Sequence, residues 1–265
     1  IVELNPSKKP SMGETRFQVY RGESAKGELW EYPVEVSEGM VVLDAVHQIQ
    51  ARHANDLAVR WNCKAGKCGS CSAEVNGKPR LMCMTRMDEL PLGEPVRIEP
   101  MKRFPHIRDL VTDVSWNYEI NERIRPLTPK PREADGTYRM MQEDIDRIQE
   151  FHKCIECFLC QNVCHVMRDQ QVQEFAGPRF LIRIASLAMH PLDTLNRLKD
   201  LKDVFGIGFC NITKCCTEVC PEHIRITDNG IIPLKERVAG AFFDPLAWIW
   251  RSLTGAQNKS DSSLN

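Results

Sequence analysis

Twelve cysteines stand in three groups of four, and none lies outside them. The first group is Cys63, Cys68, Cys71 and Cys83, within WNCKAGKCGSCSAEVNGKPRLMC. Its C-x4-C-x2-C-x11-C spacing suits four thiolates on a [2Fe–2S] cluster, because a tight loop can wrap one side of the cluster and aim three sulfurs inward. Gly66 and Gly69 allow the backbone angles and close approach that such a loop needs. Asn76-Gly77 is a type I′ hairpin signal, and that hairpin returns the chain to deliver Cys83. The competing chemistry is structural zinc, but zinc sites favour paired C-x2–4-C knuckles, which the isolated fourth cysteine fits poorly.

The second group, Cys154, Cys157, Cys160 and Cys164 in HKCIECFLCQNVCH, reads C-x2-C-x2-C-x3-C. That is the bacterial ferredoxin run, whose fourth cysteine serves the other cluster of a pair. The run usually ends in Cys-Pro, and His165 stands where the proline would be. The third group ends in Cys220-Pro221, and a complete second run there requires cysteines at 210, 213, 216 and 220. Cys210, Cys216 and Cys220 comply; Thr213 does not. The crossover rule then assigns Cys154, Cys157, Cys160 and Cys220 to a [4Fe–4S] cluster and leaves Cys164, Cys210 and Cys216 for a [3Fe–4S] cluster, which lacks one iron. Cys215 is left over. It reads either as a small buried side chain turned away from Cys216 or as a replacement fourth ligand.

These loops need elements to hold them. Residues 15–22 and 29–36 partly alternate polar and apolar between glycines and predict a hairpin. Residues 41–53 place Val42, Ala45, Val46 and Ile49 on one helical face, and a last strand is expected near 96–99. Strands around one helix with a cluster loop describe an N-terminal β-grasp plant-type ferredoxin domain over 13–112. Residues 113–136, rich in proline towards their end, are expected to be a linker. Residues 137–250 then form a mainly helical, bacterial-type ferredoxin domain, with helices expected over 137–153, 178–190 and 193–205 and Pro178 suited to a first helical turn. The fold class is α+β. Residues 241–250 (AFFDPLAWIW) are apolar but too short to span a bilayer; Trp248 and Trp250 suit a membrane interface, a partner, or packing on their own domain.

Composition narrows the function classes. Hydrophobic residues at 42% and charged residues at 27% describe a globular chain. A net charge of −1 provides no field for a phosphate backbone, so nucleic acid is not expected as a partner. No secretory signal is visible, so metal or redox chemistry outranks disulfides for the cysteines. No Ser/His/Asp set, phosphate loop or dinucleotide fingerprint is present, so no catalytic residues are assigned. Six histidines show no ligand spacing and read as structural, whereas His165, directly after a cluster cysteine, is placed to tune a cluster or touch a quinone.

Together these residues resemble the iron–sulfur subunit of succinate dehydrogenase and fumarate reductase. CKAGKCGSC, NGKPRLMCMT, FPHIRDLVTDVSWNYEINERIRP, CIECFLCQNVC, FAGPRFLI and CNITKCCTEVCP occur in the family's order. The resemblance implies a peripheral subunit on the cytoplasmic face of a bacterial plasma membrane, held between a flavoprotein subunit carrying FAD and quinone-binding membrane anchor subunits. Electrons from succinate would pass from FAD through the three clusters to quinone, or in the reverse direction in a fumarate reductase. Ubiquinone members carry a proline and a tryptophan where this chain has His165 and Asp169, and commonly a histidine where it has Asn211. These departures imply a different quinone pocket, with menaquinone as the expected quinone.

Overall fold

The computed structural model describes residues 11–244 apart from residues 25 and 92. Of the apolar 241–250 segment, the part from residue 245 onward, with both tryptophans, lies outside the described residues. The chain divides into two compact units: Ile1–Val114 with Ile155–Asn162, and Ser115–Cys154 with Val163–Asn265.

The first unit is built on a seven-stranded sheet. The strands are β1 (Ser11–Glu23), β2 (Lys26–Ser37), β3 (Ser72–Val75), β4 (Lys78–Leu81), β5 (Val96–Glu99), β6 (His106–Arg108) and β7 (Val111–Thr112). β1 and β2 form the expected hairpin, longer than the alternation alone indicated. β1 also pairs with β5 in parallel and with β6 antiparallel, and β5 carries the β3–β4 hairpin. At the turn of that hairpin Asn76 and Gly77 take φ of 49° and 73°, the left-handed pair a type I′ turn requires. The Asn76 side-chain carbonyl accepts the Arg97 N–H at 2.8 Å, fastening the turn to β5.

Helix α1 (Val42–Arg52) buries Val42, Leu43, Ala45, Val46 and Ile49. Each large aliphatic side chain there contributes about 1.5–3 kcal/mol. Asp44 caps the helix start by accepting the Val41 N–H at 3.3 Å. Two backbone bonds, Val42 N–H to Thr85 O and Leu43 N–H to Met82 O, tie that end of α1 to the segment that carries Cys83.

The second unit is helical: α2 (Ser115–Glu122), α3 (Gln142–Gln149), α5 (His165–Arg168), α6 (Pro178–Ala188), α7 (Leu198–Asp203), α8 (Cys215–Glu218) and α9 (Ile232–Phe242); a short α4 (Leu159–Val163) crosses the boundary between the units. α6 starts at Pro178, as expected, and buries Phe180, Leu181, Ile182 and Ile184. A π-helical turn, Ile226–Ile231, leads into α9. The expected helix over 193–205 shortens to α7, because Asp193 and Thr194 serve a strap instead.

That strap runs through the stretch expected to be a linker. Residues 115–122 are helix, and the stretch after it is fastened along 192–200. Lys130 N–H binds Leu192 O, and Thr194 N–H binds Thr128 O. Arg197 reaches Arg125 O at 2.7 Å and Pro126 O at 2.9 Å while pairing with Asp193 at 2.7 Å, with both side chains under 5% exposed. Proline and charge imitate a linker in composition, but here the carbonyls are used. The 137–250 expectation also loses residues 155–162 to the first unit.

Candidate metal centres

In the first unit, residues 63–71 form a loop whose backbone turns inward on its own sulfurs. Lys64, Gly66 and Gly69 have φ of 55°, 66° and 68°. The turns aim amides at thiols: Ala65 and Lys67 N–H groups donate to Cys63 Sγ at 3.3 Å each, and Cys63 N–H donates to Cys68 Sγ at 3.5 Å. Cys83 N–H donates to Cys71 Sγ at 3.5 Å. Gly69 has no room for a side chain, since a Cβ there would lie 2.6 Å from Cys157 Cα.

The four thiols differ in setting. Cys63 is exposed, Cys68 half-buried, Cys71 and Cys83 buried. Burial opposes ionisation of Cys68, but hydrogen bonds from Ser70 and from the Cys63 N–H outweigh it and bring its pKa down to about 6. Burial pushes Cys71 up to about 12, and its neighbours Cys83 and Cys68 add to the rise. A set of mutually repelling thiolates, two of them buried, with amides pointed at it is stable beside a bound cationic centre. The donor set therefore fits an iron–sulfur cluster.

Cys157 and Cys160, both buried, also belong to this unit. The Ser72 hydroxyl lies 2.9 Å from both Gly69 O and Cys157 O. Buried Asn162 donates to Glu74 Oε1 at 3.1 Å and accepts the Arg103 N–H at 3.0 Å, while Lys102 neutralises Glu74 at 3.0 Å.

The second unit holds the remaining thiols. Burial raises Cys220; N–H groups of Ile224 and Glu222 oppose this, and Cys154 adds to the rise. Cys164, Cys210 and Cys216 are brought together with Cys215. Burial pushes Cys164 up to about 11 and Cys216 up to about 12, and in both cases Cys215 and Cys210 raise the value further. Cys215 is half-buried, and its charge acts on both thiols. Left-handed Ile212 and Lys214, φ 61° and 64°, redirect the chain so that Cys215 opens α8.

His165 and Asn211 meet at this site, with Asn211 Nδ2 2.7 Å from His165 Nε2. His165 Nδ1 lies 3.5 Å from Thr213 Oγ1. Thr213 Oγ1 is also 3.5 Å from Cys215 Sγ. Asp169 pairs instead with Arg168 at 3.0 Å.

Sequence reasoning missed three polar groups. Ser72 links two cysteine loops; Lys235 of α9 donates to Cys210 O; Thr227, seven residues past Cys220, places its hydroxyl 3.4 Å from Cys216 Sγ. Only their type could have flagged them, because their distance in sequence from the thiols carries no pattern. Among the described residues no three His, Cys, Asp or Glu side chains converge on one point as ligands of a single ion. The cavity lined by Arg21, Glu28, Trp30 and Arg108 contains no cysteine, and its arginines are paired with Asp56 and Asp109.

Comparison with known proteins agrees with this geometry. Residues 16–119 match a family model described as a 2Fe-2S iron-sulfur cluster binding domain, and residues 150–224 match a 4Fe-4S dicluster domain. The fumarate reductase iron-sulfur subunit of Mycobacterium tuberculosis is 33% identical over 73% of this chain and 79% of its own length. The chain belongs to the family of succinate dehydrogenase and fumarate reductase iron–sulfur subunits. The Bacillus subtilis succinate dehydrogenase iron-sulfur subunit is 29% identical, covering 81% of this chain and 88% of its own. A solved chain described as the Mycobacterium smegmatis Sdh1 complex in the apo form is 60% identical, with TM-score 0.85, covering 88% of this chain and 99% of that one. A fumarate reductase (CoM/CoB) chain from Methanothermobacter marburgensis is 32% identical over 81% of this chain, which spans only 42% of that relative's length. As a member of this family, the iron–sulfur subunit described here is an electron-transport protein with a 2Fe–2S domain followed by a 4Fe–4S domain.

Proposed function

We propose that this chain is the electron-transfer subunit of a membrane-bound succinate dehydrogenase, relaying electrons from FAD on a flavoprotein subunit to a quinone. Cys63, Cys68, Cys71 and Cys83 hold [2Fe–2S] in a β-grasp domain. Cys154, Cys157, Cys160 and Cys220 hold [4Fe–4S], and Cys164, Cys210 and Cys216 hold [3Fe–4S]. The observation that carries this reading is the 63–71 loop, whose amides donate to the cysteine sulfurs. When bound, the clusters supply one-electron couples whose potentials depend on cluster type, hydrogen bonds and exposure. The chain's own contribution is to fix the sulfurs, point N–H and O–H groups at them, and keep water from the buried ones.

Among the described residues no helix is long and apolar enough to cross a membrane. Attachment to the cytoplasmic face of a bacterial plasma membrane runs, on this reading, through anchor subunits. His165 and Asn211, hydrogen-bonded beside the three-thiol site, line the quinone side, and their departure from the ubiquinone pattern favours menaquinone. The second reading, fumarate reductase in the reverse direction, draws on the relatives that bear that name.

Anaerobic purification of the intact complex tests the proposal. Two, four and three irons give about nine per chain by the cluster types assigned, with acid-labile sulfide and a [3Fe–4S] EPR signal in the oxidised state. Zinc in place of iron, or about four irons in all, refutes the assignment. Succinate-driven and quinol-driven rates on the same preparation decide the direction.

A further inference from the structure

The three-thiol site carries a hydrogen-bond chain that ends on sulfur. Thr227 N–H donates to Thr217 Oγ1 at 3.1 Å. Thr217 Oγ1 donates to Thr227 Oγ1, 3.2 Å away. Thr227 Oγ1 lies 3.4 Å from Cys216 Sγ, and beside a thiolate, which carries no hydrogen, the hydroxyl is the donor. The π-helical turn Ile226–Ile231 presents Thr227 in this position, a wider turn than an α-helix allows. Thr227 is 1% exposed and Cys216 6%, so water does not substitute for the hydroxyl.

We propose that Thr227, polarised by Thr217, donates its hydroxyl hydrogen to the Cys216 thiolate and thereby raises the potential of the cluster at that site. The inference rests on the proposed [3Fe–4S] cluster of Cys164, Cys210 and Cys216. One electron enters that cluster on reduction, and the O–H bond stays intact throughout. The added negative charge spreads onto the sulfurs, so a donor aimed at one of them stabilises the reduced state more than the oxidised state. In a buried setting, without competing solvent, that difference is largest. A raised potential at this position makes the site a better acceptor from the clusters before it. Thr227 is a positioning and tuning residue; it need not touch the quinone.

The test is an EPR-monitored potentiometric titration of the purified complex. In Thr227→Val, which keeps the shape and removes the donor, the reduced-to-oxidised ratio of this cluster at a fixed ambient potential falls about tenfold. For a one-electron couple that is a midpoint lower by about 59 mV. Thr227→Ser restores the wild-type value, Thr217→Val moves it down by less, and the other two clusters keep theirs. An unchanged midpoint in Thr227→Val with the signal intact overturns the proposal. If Thr227→Val loses the cluster, Thr217→Val decides: a lowered midpoint upholds the tuning role and an unchanged one refutes it. Absence of the [3Fe–4S] signal from the wild-type complex refutes the three-thiol cluster itself, which is a separate failure.

Discussion

The 63–71 loop and the three-thiol site solve one problem by different means. In the first unit most donors to sulfur are backbone amides, aimed by left-handed Lys64, Gly66 and Gly69, with the Ser70 side chain added at Cys68. In the second, Cys164 keeps backbone donors from Val166 and Met167, but buried Cys216 is served by a side-chain hydroxyl. Short of proline, no substitution deletes an amide N–H, whereas one substitution deletes a hydroxyl. The first environment is thus written mostly into chain geometry. The second can be adjusted one residue at a time without disturbing the fold.

The comparison can be broken hardest at Gly69. Alanine there is strained at φ 68° and overlaps Cys157 Cα. Strain and overlap together cost about 2–5 kcal/mol. Gly69→Ala is expected to lose the [2Fe–2S] absorption and its reduced-state EPR signal. Retention of a wild-type spectrum would show that the loop geometry is not what holds the site.

The scaffolds beneath the sites differ in a parallel way. Arg197→Leu leaves the Asp193 carboxylate buried without its cation and frees the carbonyls of Arg125 and Pro126, a loss of about 3–5 kcal/mol. Arg21→Leu removes a similar partner from buried Asp109, yet that carboxylate retains the Gly22 and Ala58 N–H donors at 2.9 and 2.8 Å. Its expected cost is smaller, about 1–3 kcal/mol. Denaturant titration of both variants measures the ranking, and a larger loss for Arg21→Leu would reverse it.

The gentlest change sharpens the contrast. Thr213→Cys supplies a thiolate where a complete second run would carry one, and is expected to convert the site to [4Fe–4S]. The oxidised-state EPR signal then vanishes and quinone reduction slows, with little change in stability. Cys215→Ser is the control and keeps the signal. If Cys215→Ser abolishes the cluster while Thr213→Cys changes nothing, Cys215 is the ligand and the register of the site is wrong.

What the sequence made legible follows from how far each signal reaches. Cysteine spacing, the Asn76-Gly77 turn and the apolar face of α1 are local patterns, and the structure repeats the last two. The strap over 125–130 was hidden because its bonds are made by backbone carbonyls and N–H groups, which composition does not report. Thr227 was hidden because a π-turn, rather than a spacing rule, brings it to Cys216. Cys215 stayed between two readings because left-handed Ile212 and Lys214 redirect the chain before it, and neither residue type announces that conformation.

The first unit takes in Ile155–Asn162, after the chain has already left it at Val114. During synthesis, therefore, its sheet can form long before its polar interior is satisfied. The Ser72 bond to Cys157 O and the Glu74 bond to Asn162 come only when roughly 50 further residues have emerged beyond the last strand, several seconds at the usual pace of elongation. Until then Ser72 has Gly69 O and Glu74 has Lys102, and a fragment cut after residue 112 keeps those partners but not the later two.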